Sequence, residues 1–387
     1  MSDKAILTLN AGSSSIKFGL YTLLNEPELL ADGQVSNLGP AAELQIQEVG
    51  QKRRTESLGA TDHRVAIQAI LEQAQESLAG KPVAGVGHRV VHGGVDYAQP
   101  QLLDEATLSK LAALSPLAPL HQPHNLNAVR AAIEAFPEAP QIACFDTAFH
   151  RGHPWVNDTF ALPRRYYDEG VRRYGFHGLS YEYITSRLEL DSPALADGRV
   201  VVAHLGNGAS MCAIRDGHSI GSTMGFSALD GLPMGTRCGQ LDPGALLYLM
   251  RRDNLSIEQV TELLYRESGM KGLSGISHDM QTLEASKAPE AAQALDYYVF
   301  RIRRELGAMA AILHGIDGLI FCGGVGENST TIRQRVCADM EWLDITIDPQ
   351  KNLAGDRLIS TGRTQVQVIP TDEELVLARA VAAQLQA

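Results

Sequence analysis

Short apolar runs alternate along the chain with segments whose apolar residues recur every third or fourth position, which predicts interleaved strands and helices. Residues 5–9 form an apolar run that meets a Gly/Ser turn, and 16–23 leaves the turn as a second strand. Val65, Ile67, Ile70, Leu71, Ala74 and Leu78 fall near one stripe and predict a helix over 61–78. An extended segment follows at 83–91. Pro123 precedes a helix over 126–136, and 141–145 reads as a short buried strand delivering Asp146 at its carboxyl end. After about residue 150 the pattern starts again, with a strand at 199–205, a turn at 206–210 and a returning strand at 211–214. Asp242 caps a helix opened by Pro243. The longest predicted helix, 289–314, carries Leu295, Tyr298, Val299, Ile302, Leu306, Met309, Ala310 and Leu313 at 3, 4 and 7 spacing. A strand at 318–321 breaks into a glycine-rich turn ahead of a helix at 330–339, and 373–385 is a terminal helix. The fold class is therefore α/β. The two strand–turn–strand units, around Asn10 and Asn207, read as one motif used twice, so two similar lobes facing across a cleft are expected.

Length supports that division, because 387 residues are too many for one ordinary core. The 33 basic and 45 acidic residues leave a net charge of -12, which argues against sequence-independent nucleic-acid binding. A few arginines in a cleft can still reverse the field locally for a small anion. The start of the chain shows no signal-peptide pattern, and no stretch approaches the ~18 uninterrupted apolar residues of a membrane span. Cys144, Cys212, Cys238, Cys322 and Cys337 are odd in number and contain no CxxC pair, the distribution of free thiols in a reducing compartment. A cytoplasmic protein without membrane or nucleic-acid partners is expected.

Three turns carry candidate chemistry. Asn10-Ala11-Gly12-Ser13-Ser14-Ser15 exposes backbone N–H groups and hydroxyls that suit phosphate, with Lys17 adding charge from the returning strand. A plain Gly/Ser hairpin fits the same residues, and neither GxxxxGK[ST] nor GxGxxG is present. His204-Leu205-Gly206-Asn207-Gly208-Ala209-Ser210 repeats that chemistry with an imidazole, and again a hairpin is the alternative. Gly323-Gly324-Val325-Gly326-Glu327-Asn328 lies between a strand and a helix, where glycines permit close backbone approach and a helix N-terminus offers donors. Arg89, His177 and Arg237 sit in glycine-flanked, otherwise apolar segments and need anionic partners. An internal salt bridge satisfies any one of them; the set fits an anion site better. Asp146 and Glu373 are hard oxygen ligands for a magnesium ion, directly or through water, or else helix caps and surface charges.

These segments, with Gly87-His88-Arg89-Val90-Val91-His92-Gly93-Gly94, Phe145-Asp146-Thr147-Ala148-Phe149-His150, Tyr174-Gly175-Phe176-His177-Gly178 and Met234-Gly235-Thr236-Arg237, resemble the signatures of the acetate kinase family. The resemblance runs in order from residue 5 to Glu374. It implies the actin and sugar-kinase superfamily fold: two ribonuclease-H-like lobes with mixed five-stranded sheets flanked by helices, 1–148 plus 372–387 and 149–371, in a homodimer. It further implies Mg²⁺-dependent, direct in-line transfer of the ATP γ-phosphoryl to acetate, giving acetyl phosphate and ADP, with Mn²⁺ as a substitute ion. Carried across, Asn10 and Glu373 match the metal positions, and Asp146, His177 and Arg237 the catalytic ones. Arg89, Val91, Leu120 and Ala228 match the acid site. Lys17, His204, Leu205, Gly206, Asn207, Gly208, Asp279, Met280, Gln281, Gly324, Val325, Gly326, Glu327 and Asn328 match the nucleotide contacts.

A carboxylate is already ionised at neutral pH, so this reaction needs charge neutralisation and alignment more than a base. Asp146 is therefore expected to orient a metal or an arginine. Two departures matter. The family often has Asp-Phe-Arg where this chain has Asp279-Met280-Gln281, so weaker ATP binding or another basic group is expected. A proline is common at Ala228, and the smaller residue leaves room for one more carbon; a propionate kinase is the alternative reading. A nucleotide-dependent binding module has no use for Arg89, His177 and Arg237 together, and a sugar kinase would want a carboxylate base.

Overall fold

Seven buried residues, Ala5–Ala11, form β1, which sits between an antiparallel neighbour, Ile16–Thr22 (β2), and a parallel one, Val83–Val90 (β6). The structure, a computed structural model, describes residues 4–12, 15–119 and 121–386; Ser13, Ser14 and Leu120 lie outside them. The chain divides into two compact units, residues 1–149 with 372–387, and residues 150–371.

In the first unit the remaining strands are Leu29–Ser36 (β3), Gly39–Glu48 (β4), Arg54–Thr61 (β5), Gln101–Leu102 (β7) and Gln141–Phe145 (β8). Their order is β5-β4-β3-β2-β1-β6-β8-β7, so this sheet has eight strands, not the five expected. The addition is legible afterwards: Ala42, Leu44 and Ile46 are buried and alternate with polar Glu43, Gln45 and Gln47, the period-2 pattern of a strand with one face on the core. Successive residues of β1 feed opposite layers. Leu7 and Leu9 join the cluster beneath His63–Leu78, whereas Ile6 packs with Val381 and Ala382 of Glu373–Gln386. On His63–Leu78 the expected stripe is buried except for Val65, which is 42% exposed; Ala66 takes its place. The helix near Pro123 begins at Gln122, with the proline inside its first turn, and ends at Ala135.

The second unit has a five-stranded sheet built from Arg199–Leu205 (β9), Ala209–Arg215 (β10), His218–Ser222 (β11), Gly318–Cys322 (β12) and Gln365–Val368 (β13), in the order β11-β10-β9-β12-β13. Two antiparallel pairings followed by two parallel ones repeat the β3-β2-β1-β6-β8 core of the first unit. Pro289–Leu313 buries the predicted stripe from Leu295 to Leu313. The glycine-rich segment after β12 is itself helical, Gly323–Asn328, because the Glu327 carboxylate turns back to accept from the Gly323 N–H at 2.8 Å. Among the described residues no helix is long and apolar enough to cross a membrane.

Two predictions follow from the packing. A Cβ on Gly87 would lie 3.1 Å from the Leu377 carbonyl oxygen and 3.1 Å from Val381 Cγ2, so Glu373–Gln386 rests directly on the bare backbone of β6. Gly87→Val should cost about 1–3 kcal/mol in urea unfolding through overpacking, and should also displace Glu373. In the second unit, burial lowers the pKa of His150 to about 4, and burial together with His150 and the arginines Arg151 and Arg173 lowers that of His153 to about 2. Both rings stay neutral in the folded state while the unfolded state takes up protons near pH 6.5. Stability is thus complete above that pH and declines as pH falls toward 4, by up to about 1.4 kcal/mol per pH unit for each ring. Fluorescence-monitored urea unfolding between pH 6.5 and 5 should show the decline, and His150→Gln should roughly halve the part due to these two rings.

Candidate functional site

Three neighbouring strand ends in the first unit converge on one guanidinium. Asn10 comes from β1, Arg89 from β6, and Asp146 from the residue after β8. Arg89 Nε donates to Asp146 Oδ1 at 2.8 Å and Nη2 to Oδ2 at 2.6 Å, while Nη1 donates to Asn10 Oδ1 at 3.0 Å. The Asn10 amide nitrogen in turn donates to Glu373 Oε2 and Glu374 Oε1, both at 3.2 Å. The Asp146 side chain is 2% exposed and that of Arg89 17%. Burial works against the Arg89 charge, but Asp146, Glu373 and Glu374 outweigh it and hold its pKa above the ordinary value. Three formal carboxylate charges thus face one guanidinium. That surplus, in a set of hard oxygens, fits a divalent cation. Among the described residues no three His, Cys, Asp or Glu side chains converge to hold an ion directly.

Other expected residues of this unit fall close by in the fold. Val91 is buried, with its N–H bonded to Asn125 Oδ1 at 3.0 Å, and Asn125 Nδ2 also donates to the Ala11 carbonyl at 2.7 Å. Lys17 is exposed and pairs with Asn10 across the β1–β2 register. Leu120 lies outside the described residues.

In the second unit, His177 is the N-cap of Gly178–Asp191 and adopts φ 58°, a left-handed conformation uncommon for a residue with a Cβ. Just before it, Gly175 has φ 73°, and a Cβ there would lie 2.5 Å from the His150 ring; only glycine fits. The His177 ring stacks on His204 with centroids 4.3 Å apart. Ser210 holds His177 Nδ1 at 2.8 Å, and Ser180 holds His204 Nδ1 at 2.8 Å. The position of a Cβ on Gly208 lies 3.2 Å from His177 Nε2 and 3.8 Å from Arg237 Nη1, so an imidazole edge and a guanidinium meet beside one turn. Arg237 Nη1 also donates to the Ala228 carbonyl at 3.3 Å.

Alongside this turn is a cavity of about 400 Å³. Gly206, Asn207, Asp279, Met280, Gln281, Gly324, Val325 and Asn328 line it, as do Met270, His278, Glu284, Tyr298 and Ser329, which the sequence did not single out. No lysine or arginine is among its described lining residues. His204, Leu205, Gly208, Gly326 and Glu327 are not in its wall. Glu327 is occupied structurally, accepting from Gly323 N and from Thr371 N at 3.2 Å. Asp279 is the N-cap of Met280–Ala285 and accepts from Thr282 N. Glu374 was also missed, although the adjacent acids Glu373 and Glu374 in a first helical turn were a visible signal.

A family model described as the acetokinase family matches residues 5–379. An acetate kinase of Methylocella silvestris is 55% identical over 97% of this chain and 97% of its own length. Among solved structures, Porphyromonas gingivalis acetate kinase superposes with a TM-score of 0.87 at 36% identity, covering 99% of this chain and 100% of the other. A propionate kinase from Francisella tularensis gives 0.90 at 32%, covering 97% and 98%. An ordered set of motifs, a twice-used sheet topology and a full-length match agree: the chain belongs to the acetokinase family.

Proposed function

We propose that this protein is an ATP:acetate phosphotransferase, moving the γ-phosphoryl group of ATP to acetate in a reversible, in-line reaction that yields acetyl phosphate and ADP. The observation that carries this reading is the Arg89 fork. Both carboxylate oxygens of Asp146 accept from the guanidinium, which makes Asp146 an anchor for a cation and ill placed to take a proton from a hydroxyl. The three bonds engage three of the five guanidinium N–H groups, and the other two suit a substrate carboxylate. Acetate, ionised at neutral pH, needs no base.

Asn10, Glu373 and Glu374 would hold magnesium, or manganese in its place, partly through water. Bound there, the ion supplies neutralisation of phosphate oxygens. Arg89 orients the acid. His177 and Arg237 provide donors for the charge that develops on the transferring group. The cavity lined by Asn207, Met280, Gln281 and Val325 takes the nucleoside, with Met280 offering a soft apolar wall. A propionate kinase is the second reading, favoured by the small side chain at Ala228.

Two experiments test these assignments. Acyl phosphate trapped as hydroxamate should give the highest kcat/KM on acetate, lower on propionate and least on butyrate; Ala228→Pro should reduce propionate relative to acetate by about 10-fold or more. Butyrate as the best substrate would remove the assignment. Asp146→Asn should lower kcat by about 10²–10³-fold and weaken the divalent-cation dependence together. A pure shift of the pH profile, with cation dependence unchanged, would instead make Asp146 the base.

A further inference from the structure

The two stacked imidazoles of the second unit are held by a reciprocal arrangement. Gly178–Asp191 and its cap supply His177, Ser180 and Tyr181; the β9–β10 hairpin supplies His204 and Ser210, which are direct cross-strand partners. Each element thus gives one histidine and one serine to the other: His177 bonds Ser210 and His204 bonds Ser180. Behind each serine stands another hydroxyl. Tyr181 Oη is hydrogen-bonded to Ser210 Oγ, and Thr371 Oγ1 donates to Ser180 Oγ at 2.9 Å. Ser210, Tyr181 and Ser180 are all fully buried.

A serine hydroxyl has a single hydrogen. If it accepts from the group behind, its own hydrogen goes to the imidazole in front, which for Ser180 is, at 2.8 Å, a closer and stronger acceptor than Cys322 Sγ at 3.8 Å. Tyr181 is the stronger donor of its pair, since a phenol is more acidic than an aliphatic alcohol, and burial keeps it protonated by raising its pKa well above 10. On the other side, the His177 Nε2 edge faces Gly208, next to Arg237.

We propose that Tyr181 and Ser210 are positioning residues that fix neutral His177 as its Nε2–H tautomer, and that Thr371 and Ser180 do the same for His204. The proposal rests on the phosphoryl-transfer reading for its consequence, though not for its geometry. A neutral ring presenting Nε2–H donates to an anion without placing a second positive charge beside Arg237, which like-charge repulsion opposes. The other tautomer would aim a lone pair at the transferring oxygens. Tautomer control of this kind is worth up to ~10⁴ in kcat in the serine-protease triad.

The test uses the full chain labelled with ¹⁵N-histidine. Long-range ¹H–¹⁵N spectra near neutral pH, with His177 assigned by its loss in His177→Gln, should show His177 and His204 as Nε2–H tautomers. Ser210→Ala should disturb the tautomer of His177 while leaving that of His204, and should lower kcat by about 10-fold or more with KM for acid and nucleotide changed less than about threefold. Tyr181→Phe removes only one hydroxyl, and should produce the same spectral change with a smaller loss of kcat, so a Ser210→Ala chain that fails to fold does not remove the test. A wild-type His177 bearing its proton on Nδ1, or a folded Ser210→Ala protein with kcat within about twofold of wild type, would overturn the proposal. If the wild-type protein makes no acyl phosphate, the functional reading falls and the spectra still decide the tautomer.

Discussion

The first unit is organised around one desolvated ion pair. Burying the Asp146 carboxylate and most of the Arg89 guanidinium costs several kcal/mol per ion, which only close geometry and additional hydrogen bonds offset. Here the offset is a two-pronged fork plus a third bond to Asn10. That arrangement requires three strand ends side by side and pointing the same way. β1, β6 and β8 are parallel neighbours, and parallel strands need crossovers, which His63–Leu78 and Gln122–Ala135 provide. The final helix is drawn into the same requirement, because its first turn supplies the carboxylates that Asn10 bonds. Residues 10, 89, 146 and 373 become a single cluster only when the sheet order is complete.

The second unit meets a related problem with the opposite balance of charge. Its sheet repeats the core topology, yet the residues brought to the β9–β10 turn are two imidazoles and one guanidinium, and the imidazoles are held by serine hydroxyls. Hydroxyl groups take the orienting role that Asp146 plays for Arg89. A carboxylate behind an imidazole favours the cation; a serine behind it leaves the ring neutral while still fixing which nitrogen carries the proton. The left-handed backbone at His177 is local strain that the fold accepts to keep that ring in place, and the bare backbone of Gly175 lets the segment seat against His150.

How much of this was legible follows from the kind of pattern each feature leaves. Long periodic segments such as Pro289–Leu313 were readable because one face must be buried. Asn10, Arg89, Asp146 and Glu373 were recognisable one by one from their strand-end settings and from the ordered family motifs, and they do meet in one cluster. Strands β3 and β4 and the edge strand β5 escaped because a half-exposed, polar-rich alternation resembles a loop until a neighbour is present. Ser180 and Tyr181, and the pairing of Ser210 with His177, escaped for a different reason. A serine or tyrosine gains its meaning from what it touches, and the contacts between Gly178–Asp191 and the β9–β10 hairpin are tertiary. The contacts of Glu327 are tertiary and local in the same way: its carboxylate accepts from the Gly323 and Thr371 N–H groups, which the glycine-rich motif alone does not reveal.

The distribution of charge gives these observations a common logic under the proposed reaction. A carboxylate nucleophile and a phosphate both repel negative surroundings, yet the chain carries a net charge of -12 and the cavity of the second unit has no described lysine or arginine in its wall. Positive charge is therefore held at a few fixed points within each unit. Under the proposed reaction, the lock on Arg89 would keep it from collapsing onto a substrate in the wrong orientation, and the surplus of carboxylates around it would be matched by a divalent ion. The departure at Gln281 fits this economy under the proposed reaction: with no guanidinium there, nucleotide affinity would rest on shape, backbone donors and the metal, or on another basic group. Weak binding of the ground state is compatible with efficient transfer, since only interactions that strengthen in the transition state accelerate the reaction. The locked guanidinium and the tautomer-fixed imidazole are interactions of that type, set before the charge they meet has developed.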